Sequence, residues 1–466
     1  MTKIKPRNHA LEHWIARIGL TNRQLAHGVT QAARSRGERG IEPDESSVRR
    51  WRAGEIPRAP VPDLLAAYLT VRTGVALAPA DVGMPGTPRT TVDPRLPWQA
   101  ASAIDAVAAL TRSELMQPHT RHSKDAEDVH HGPDLLHPLQ SWTTACPGPV
   151  AREHGGHIGA PEVDGLRAIT AMFRDADNRH GGVLSRTAVV AQMSDANAML
   201  ACSYTEDTGR ALFSAVADLG SVAGWMSFDA GRHASAQRLF ITALHAAHEG
   251  GDRALCAHIL QCMARQMSHL GHYDDALELV LLARYGARRD MTPATESMLL
   301  ALEARFHAIL GRPEDSARSA AQAEDAFARV APAGEPAHML WFDEAELCAT
   351  LGVAHQIAAK HLSGPDRDTR AERSLTQLGR ALALRPEHRV RSKAFDHLGR
   401  ARTHLVVGEV AGAQEETGTA LDFFAQLGSV RVGDRLLELH AEAAPYATTE
   451  EGRALRERIG FSVTGR

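Results

Sequence analysis

The chain has 466 residues, of which 44% are apolar and 23% are charged, a composition typical of a globular protein with several domains. No run approaches 18 uncharged apolar residues, and the charged N-terminus lacks the apolar core of a secretory signal, so we expect neither a membrane span nor export. Five scattered cysteines without a CxxC spacing predict reduced thiols in a cytoplasmic protein.

The charge is unevenly distributed along the chain. Residues 1–58 hold twelve Lys or Arg and six acidic residues, a net charge of +6, whereas the whole chain stands at −4, which leaves −10 for the remainder. A small basic segment on a larger acidic body is typical of a nucleic-acid-binding module joined to a regulatory region. Taken alone, a chance fluctuation of surface charge explains the count equally well.

Residues 1–85 predict a small domain of four short helices. The stretch ALEHWIARIG is amphipathic, and a second helix begins at Thr21 with Leu25 facing inward and Arg23 and Gln24 facing outward. The stretch VPDLLAAYLTVRTG supplies the fourth helix, which closes the core.

The third helix is basic. Asp44 is a suitable N-cap, Gly54 ends the helix, and Val48 and Trp51 share the face that points into the core. The outward face and its flanks carry Ser46, Ser47, Arg49, Arg50 and Arg52. Arginine donates two hydrogen bonds to guanine O6 and N7, and serine and arginine bind phosphates, so this helix is a candidate for reading the major groove.

The stretch TNRQLA…SSVRRWRAGEIPRAPVPDLLAAYL resembles helix-turn-helix domains of the Cro/repressor (Xre) type, whose recognition helix has the pattern S-x-V-x-x-W-x-x-G. The resemblance implies contact with double-stranded DNA. About ten extra residues, SRGERGIEPD, stand where the usual turn has about three or four. They either displace the recognition helix or extend the second helix and add a wing. A degenerate domain used for protein contact is the alternative.

Residues 86–165 predict a linker with one helix, at 98–116, followed by an irregular, solvated segment. That segment is rich in histidine: His119, His122, His130, His131, His137, His154 and His157. No pair of them has i, i+4 spacing on a predicted helix with a nearby carboxylate, and no cysteine pair assists. We therefore expect no metal site.

From residue 166 to 445 helix follows helix, and five segments share a layout in which a glycine ends one helix and a small residue opens the packed face of the next. These glycines are Gly231, Gly271, Gly311, Gly352 and Gly408, of which the first four are spaced by about 40 residues. The pattern predicts a tetratricopeptide-like α-solenoid with a loop at 361–372, and residues 446–466 are expected to form a C-terminal helix or tail. The predicted fold class is thus all-α: a small N-terminal helix-turn-helix domain joined by a linker to the solenoid.

The whole arrangement resembles actinobacterial, chiefly Streptomyces-type, transcriptional regulators with an N-terminal helix-turn-helix and a C-terminal tetratricopeptide region. The stretches that carry the resemblance are 48–84, 173–182, 219–247 and 391–409. It implies a cytoplasmic, nucleoid-associated regulator of development or secondary metabolism, often a negative one. Because one short helix reads few base pairs, we expect a homodimer on a palindromic operator.

The groove of such a solenoid suits a peptide, a partner helix or a small molecule as a signal. Distant regulators of this design clamp a peptide backbone with asparagines, but no asparagine follows Asn197 here. The stretch GWMSFDAG offers Trp225, Met226 and Asp229 as a candidate groove for a ligand or partner, although such a cluster is commonly core. The run at 173–182 is expected to form an ionic cap at the start of the solenoid.

Enzyme motifs are missing from the sequence: there is no GxxxxGK[ST], GxSxG, HExxH or GxGxxG after a strand, so we expect neither catalysis nor a cofactor. Three functions stay open. The first is a sequence-specific DNA-binding regulator, the second a tetratricopeptide adaptor acting through protein partners, and the third a peptide or small-molecule receptor with secondary DNA contact.

Overall fold

The computed structural model describes residues 7–35, 38, 40–58, 60–73, 79–84, 92–116, 129–153, 155–181, 185–427 and 429–464. These residues form twenty α-helices and no β-strand beyond two isolated bridges, which confirms the all-α prediction. The chain divides into two compact units, residues 1–91 with 108–122 and residues 92–107 with 123–466.

The first unit contains four helices: α1 (His9–Ile18), α2 (Asn22–Ser35), α3 (Glu45–Arg52) and α4 (Val61–Thr73). Asn8 caps α1 by accepting a hydrogen bond from the Leu11 amide at 2.9 Å, and its own amide donates to the Val82 carbonyl at 2.9 Å. The core draws on every helix: Leu11, Ile15, Leu25, Val29, Val48, Trp51, Leu64, Leu65 and Leu69 are buried together. Apolar residues spaced three and four apart on short helices therefore meet at one centre.

Helix α5 (Ala100–Met116) contributes residues to both units, and α6 (Pro133–Gln140) belongs to the second. The prediction of a solvated segment around α6 is wrong, because Leu135, Leu139 and Trp142 are fully buried. The Trp142 ring lies so close to Gly286 that a Cβ there would come within 2.1 Å of it. His119, His122 and His154 lie outside the described residues.

The remaining helices of the second unit follow one another with short connections, except for a longer one between α14 and α15. They are α7 (Ala160–His180), α8 (Arg186–Leu200), α9 (Glu206–Asp229), α10 (His233–Glu249), α11 (Arg253–His269), α12 (Tyr273–Ala287), α13 (Pro293–Ile309), α14 (Pro313–Phe327), α15 (Glu344–Ala359), α16 (Gly364–Leu384), α17 (Val390–Val406), α18 (Val410–Phe424), α19 (Val430–Glu442) and α20 (Glu450–Thr464). Five hairpins, α9/α10, α11/α12, α13/α14, α15/α16 and α17/α18, have the most extensive helix contacts in the unit, and the first helix of each also packs against its neighbours. This is the packing of a helical repeat.

Four of the five marker glycines lie at the turn of a hairpin. Gly231, Gly271, Gly311 and Gly408 all have a positive φ, a conformation that glycine adopts without steric cost. The prediction for Gly352 is wrong: it lies inside α15, where a Cβ would come within 2.7 Å of Leu378 Cγ on α16. Glycine is used there for close helix approach rather than for a turn.

The predicted loop at 361–372 is also wrong for most of its length. Helix α16 begins at Gly364, and Pro365 occupies the first turn, where its missing N–H costs nothing. Ala371 and Ser374 are buried while the charged residues around them are mostly exposed. The start of α16 is therefore amphipathic, with its charged residues on the exposed face.

The C-terminal segment is part of the core of the second unit. Leu455 and Ile459 on α20 are buried together with Leu421 of α18 and Leu436 of α19. Within the described residues, α9 is the one helix long and apolar enough to cross a membrane, and 78% of its apolar window is buried inside the protein. That burial is typical of a core helix.

Candidate functional sites: a basic helix and an arginine-lined cavity

Helix α3 is fixed at its N-terminus by Asp44 and along its length by two apolar side chains. Asp44 Oδ1 accepts hydrogen bonds from the Ser47 amide at 2.8 Å and from Ser47 Oγ at 2.7 Å. These bonds from Ser47, with one from Ser46, lower the pKa of Asp44 to about 2. Val48 and Trp51 are buried in the core of the first unit. These contacts therefore hold α3 in one orientation on the core of the first unit.

The arginines of α3 that point away from the core are open to solvent. The side chain of Arg49 is 70% exposed and that of Arg50 is 54% exposed. Glu45 lies 3.5 Å from both Arg49 and Arg23, and Glu55 lies 3.5 Å from Arg50. Exposed ion pairs of this kind contribute about 0–1 kcal/mol, so they are readily exchanged for an external anion.

The other polar residues predicted to bind DNA make contacts within the first unit. The Ser46 hydroxyl donates to Asp44, and Gln24 Oε1 accepts from the Thr21 amide at 2.9 Å. Arg52 donates to Asn22 Oδ1 at 3.1 Å and lies 3.4 Å from Glu12. Arg23, Arg49 and Arg50 are thus the exposed cations of the predicted set, whereas Gln24, Ser46, Ser47 and Arg52 have structural partners.

Apart from Ser35, the described residues of the insertion before α3 lie outside α2. Helix α2 continues to Ser35, and the Glu38 amide donates to the Ala33 carbonyl at 3.0 Å. Arg34 and Glu42 form an ion pair at 2.7 Å, which ties the end of α2 to the chain that enters α3. Of the two alternatives raised by the sequence, a longer second helix is therefore not seen among the described residues, and Val48 and Trp51 still reach the core.

The second unit contains a cavity of about 220 Å³, which we call the arginine cavity. Its wall is built from α7, α9, α11, α13, α15, α17 and α19 with the residues flanking α15 and α17; no side chain of α10, α12, α14, α16 or α18 contributes to it. Nine arginines line it: Arg174, Arg265, Arg305, Arg385, Arg389, Arg391, Arg402, Arg431 and Arg435. The first helices of the hairpins thus face a strongly basic space.

Most of these arginines are neutralised by carboxylates that lie in the wall or behind it. Arg385 lies 2.9 Å from both Glu346 and Asp396; Arg385 and Asp396 are buried, and Glu346 is partly buried. Arg391 pairs with Asp177 at 2.8 Å and Asp229 at 2.9 Å. Likewise, Arg174 pairs with Asp218, Arg402 with Glu438 and Glu442, and Arg435 with Glu438. Such groups form a rigid ionic frame.

Two guanidinium groups of the cavity have no carboxylate partner among the described residues. Arg389 donates only to Asn178 Oδ1, at 3.3 Å, and Arg305 forms neither an ion pair nor a hydrogen bond there. The Nε atoms of both are buried without a hydrogen-bond partner, as are Nη2 of Arg265 and Nε of Arg431. Burial, and then repulsion from other arginines led by Arg435, lowers the pKa of Arg305 to about 9. It stays charged at neutral pH.

Aromatic rings complete the wall. Trp225 and Trp341 line the cavity, with the Arg431 guanidinium 4.9 Å from the Trp225 ring centre and that of Arg265 5.4 Å from the Trp341 ring centre. The indole N–H of Trp341 is buried without an acceptor among the described residues. The cavity therefore offers positive charge, unused donors and flat apolar faces, which is a combination suited to an anion with a planar ring.

The structure separates the three residues of the predicted groove. Trp225 lines the cavity, Met226 is fully buried in the core, and Asp229 is fully buried behind the wall. Asp229 accepts a hydrogen bond from Ser429 Oγ at 2.8 Å in addition to its ion pair with Arg391. The run predicted as an ionic cap lies in α7 as far as it is described, and its residues Arg174, Asp177 and Asn178 are part of the cavity wall.

Sequence reasoning missed the cavity arginines, although the repeat contains a signal for them. Four wall residues stand six residues before a turn glycine: Trp225 before Gly231, Arg265 before Gly271, Arg305 before Gly311 and Arg402 before Gly408. The same position of four of the five first helices therefore lines the cavity. Its occupation by arginine in three hairpins is visible in the sequence once the repeats are aligned.

A smaller polar cluster lies at the start of α12. Potential ligand atoms of His131, His272 and Asp275 lie within 4.8 Å of one another, and the two imidazole rings stack with centres 4.3 Å apart. Asp275 Oδ2 also accepts a hydrogen bond from the Gly132 amide at 2.6 Å. These residue types could hold a metal ion, a grouping that sequence spacing did not reveal because His131 is remote from α12 in the chain.

Comparison with known proteins gives one result. A family model described as the SP15 N-terminal domain matches residues 11–85, the segment that contains nearly all of α1 to α4. The similarity therefore concerns the first unit and a minor part of the chain. No curated protein matches the chain.

Proposed function

We propose that the protein is a sequence-specific, negatively acting transcriptional regulator whose first unit binds double-stranded DNA through α3. In this proposal α2 and α3 are the two helices of an Xre-like helix-turn-helix, joined by an unusually long turn. The observation that carries the proposal is the pair Arg49 and Arg50, exposed on a short helix whose opposite face is anchored by Val48 and Trp51. The net charge of +6 over residues 1–58 supports it.

The hairpins of the second unit act, in this proposal, as a tetratricopeptide-like solenoid that mediates dimerisation, senses a signal, or does both. A homodimer would place two copies of α3 on the half-sites of a palindromic operator. The resemblance noted for the sequence supports a cytoplasmic, nucleoid-associated protein that controls development or secondary metabolism. A repeat adaptor that acts through protein partners is the alternative function, and it requires no DNA binding.

A salt series tests the proposal. Phosphate contacts release counterions, so the logarithm of the DNA affinity should fall linearly and steeply with the logarithm of the salt concentration. We expect the Arg49→Ala/Arg50→Ala variant to lose its preference for the cognate duplex, by about 1–3 kcal/mol for each bidentate base contact removed. Fluorescence anisotropy with labelled duplexes measures both effects.

The matched control is Arg72→Ala, which removes an exposed arginine of α4 and should leave the preference unchanged. Circular dichroism should show the same helicity in all three proteins, because Arg49 and Arg50 lie outside the core. Unchanged preference in the double variant would refute the role of α3. DNA binding that is absent or insensitive to salt would favour the adaptor.

A receptor function is the second candidate, and the arginine cavity favours it. A cavity with unpartnered buried donors is a costly feature in a purely structural repeat, since buried polar groups are normally hydrogen-bonded. The cavity lies in the second unit, to which the proposal assigns signal sensing. A ligand bound in the cavity would therefore be the signal that controls the regulator.

A further inference from the structure

The charges around the arginine cavity do not balance within the described residues. Arg305 and Arg389 form no ion pair with the described residues, while seven arginines of the same wall form at least one; Arg389 acts on the Glu346 carboxylate only at longer range. Both residues are partly exposed, but the Nε atom of each is buried without a hydrogen-bond partner in that part of the chain, and a buried donor left unpaired costs free energy. An anion bound in the cavity removes this cost.

We propose that the arginine cavity binds a small phosphorylated molecule with a planar ring, of the nucleoside monophosphate class. A phosphate monoester carries a charge of roughly −1.5 to −2 at pH 7, which matches the two uncompensated guanidinium groups. A monocarboxylate supplies only one negative charge. The guanidinium fork also donates two parallel hydrogen bonds to phosphate oxygens, which explains the use of arginine rather than lysine throughout the wall.

The planar ring is inferred from the tryptophans. Trp225 and Trp341 present aromatic surface to the same space as the arginines, and the Trp341 N–H lacks an acceptor. The volume of about 220 Å³ exceeds the cavity of about 150 Å³ that admits benzene. It therefore has space beyond that needed by one aromatic ring, whereas a peptide helix, about 10–12 Å across with its side chains, is too wide.

The repeat itself assembles the site. Arg265, Arg305 and Arg402 occupy the same position of three hairpins, six residues before Gly271, Gly311 and Gly408. A ligand in the cavity would thus face the same repeat position on α11, α13 and α17, which are distant in the chain. This inference deepens the sensing role proposed above, yet ligand binding at the cavity does not require DNA binding by α3.

Inorganic phosphate is the first probe. We expect millimolar phosphate, added to the full chain in a buffer free of other multivalent anions, to raise the melting temperature and to bind saturably in calorimetry. Arg305→Gln and Arg389→Gln should each weaken that binding at least tenfold. Both variants remove a charge without a carboxylate partner, so both should fold, and either one suffices for the test if the other does not.

Two control variants locate the binding. Arg318→Gln alters an exposed arginine on α14, the second helix of the Arg305 hairpin, and should bind phosphate as the wild type does. The Arg49→Ala/Arg50→Ala variant should also keep phosphate binding, which separates failure of this inference from failure of DNA recognition. Absent phosphate binding, or equal binding by wild type, Arg305→Gln and Arg389→Gln, would overturn the cavity as an anion site.

The second probe tests the ring. At least one of AMP, GMP, CMP and UMP should bind at least tenfold more tightly than inorganic phosphate, and adenosine or guanosine without phosphate should bind more weakly than its monophosphate. Trp341→Leu should reduce the nucleotide affinity towards that of phosphate. If all four nucleotides bind no better than phosphate, the inference that the ligand contains a planar ring is wrong.

Discussion

The arginines of α3 and those of the cavity have the same side chain in opposite surroundings. Arg49 is 70% exposed and shares one loosely placed glutamate with Arg23, whereas Arg385 is 2% exposed and is held between one buried and one partly buried carboxylate. In water a charge is stable without a partner, so the arginines of α3 remain available for the DNA contacts proposed above. A buried donor needs a partner, so the unpaired, buried Nε atoms of Arg305 and Arg389 are informative although both residues are partly exposed, while the loose pairing of Arg49 is not.

The first way to sharpen this comparison is to remove one arginine from the ionic frame. Arg385→Gln should lower the free energy of unfolding of the second unit by about 3–5 kcal/mol, because it leaves Asp396 and most of the charge of Glu346 buried without compensation. Urea denaturation followed by circular dichroism measures the change. The control Arg380→Gln removes an exposed arginine of α16 paired with Glu344 and should cost less than about 1 kcal/mol. Equal effects would show that burial does not distinguish the two pairs.

A second prediction extends the comparison to histidine. Burial, with a smaller effect from His248, lowers the pKa of His245 to about 3, and its ring stacks on Trp98 at 3.8 Å. Since the unfolded chain takes up a proton near pH 6.5 and the folded protein does not, stability is complete above pH 6.5 and is lost between pH 6.5 and 3. His245 alone should cost about 2 kcal/mol at pH 5.

Urea denaturation at pH 7 and pH 5 tests this cost. His245→Phe keeps an aromatic ring against Trp98 without a titratable group, so its loss of stability between the two pH values should be smaller by about 2 kcal/mol. Other buried histidines, such as His258 and His338, have lowered pKa values and keep part of the dependence in that variant. An identical pH dependence in wild type and His245→Phe would contradict the assignment.

The smallest expected effect has the opposite sign. Without ligand, Arg305→Gln should raise the free energy of unfolding by about 1 kcal/mol, because it removes a partly buried charge that forms no ion pair with the described residues. Arg318→Gln, on the exposed face of the same hairpin, should change it by less than about 0.5 kcal/mol. Destabilisation by Arg305→Gln would mean that the guanidinium contributes to the fold rather than awaiting an anion.

The same contrast explains what could be predicted from the sequence. The burial of Val48 and Trp51 follows from local helical periodicity, and the turn glycines follow from the repeat. Gly352 and the charged start of α16 misled the prediction, because only tertiary contact distinguishes a glycine that permits close packing from one that permits a turn. The partners of the cavity arginines could not be predicted from the sequence, since residues that pair in space, such as Asp177 and Arg391, are separated by 214 positions in the chain. The recurring arginine before the turn glycine was available in the sequence, but its meaning depends on knowing which helix face lines the cavity.

The central claim is that the exposed arginines of α3 read DNA. Selection of binding sites from a pool of random DNA duplexes, with wild type and the Arg49→Ala/Arg50→Ala variant in parallel, tests it most directly. We expect the wild type to enrich a palindromic motif and the variant to enrich none while keeping its helicity and its melting temperature. Enrichment of the same motif by both proteins, or of no motif by either, would contradict the account.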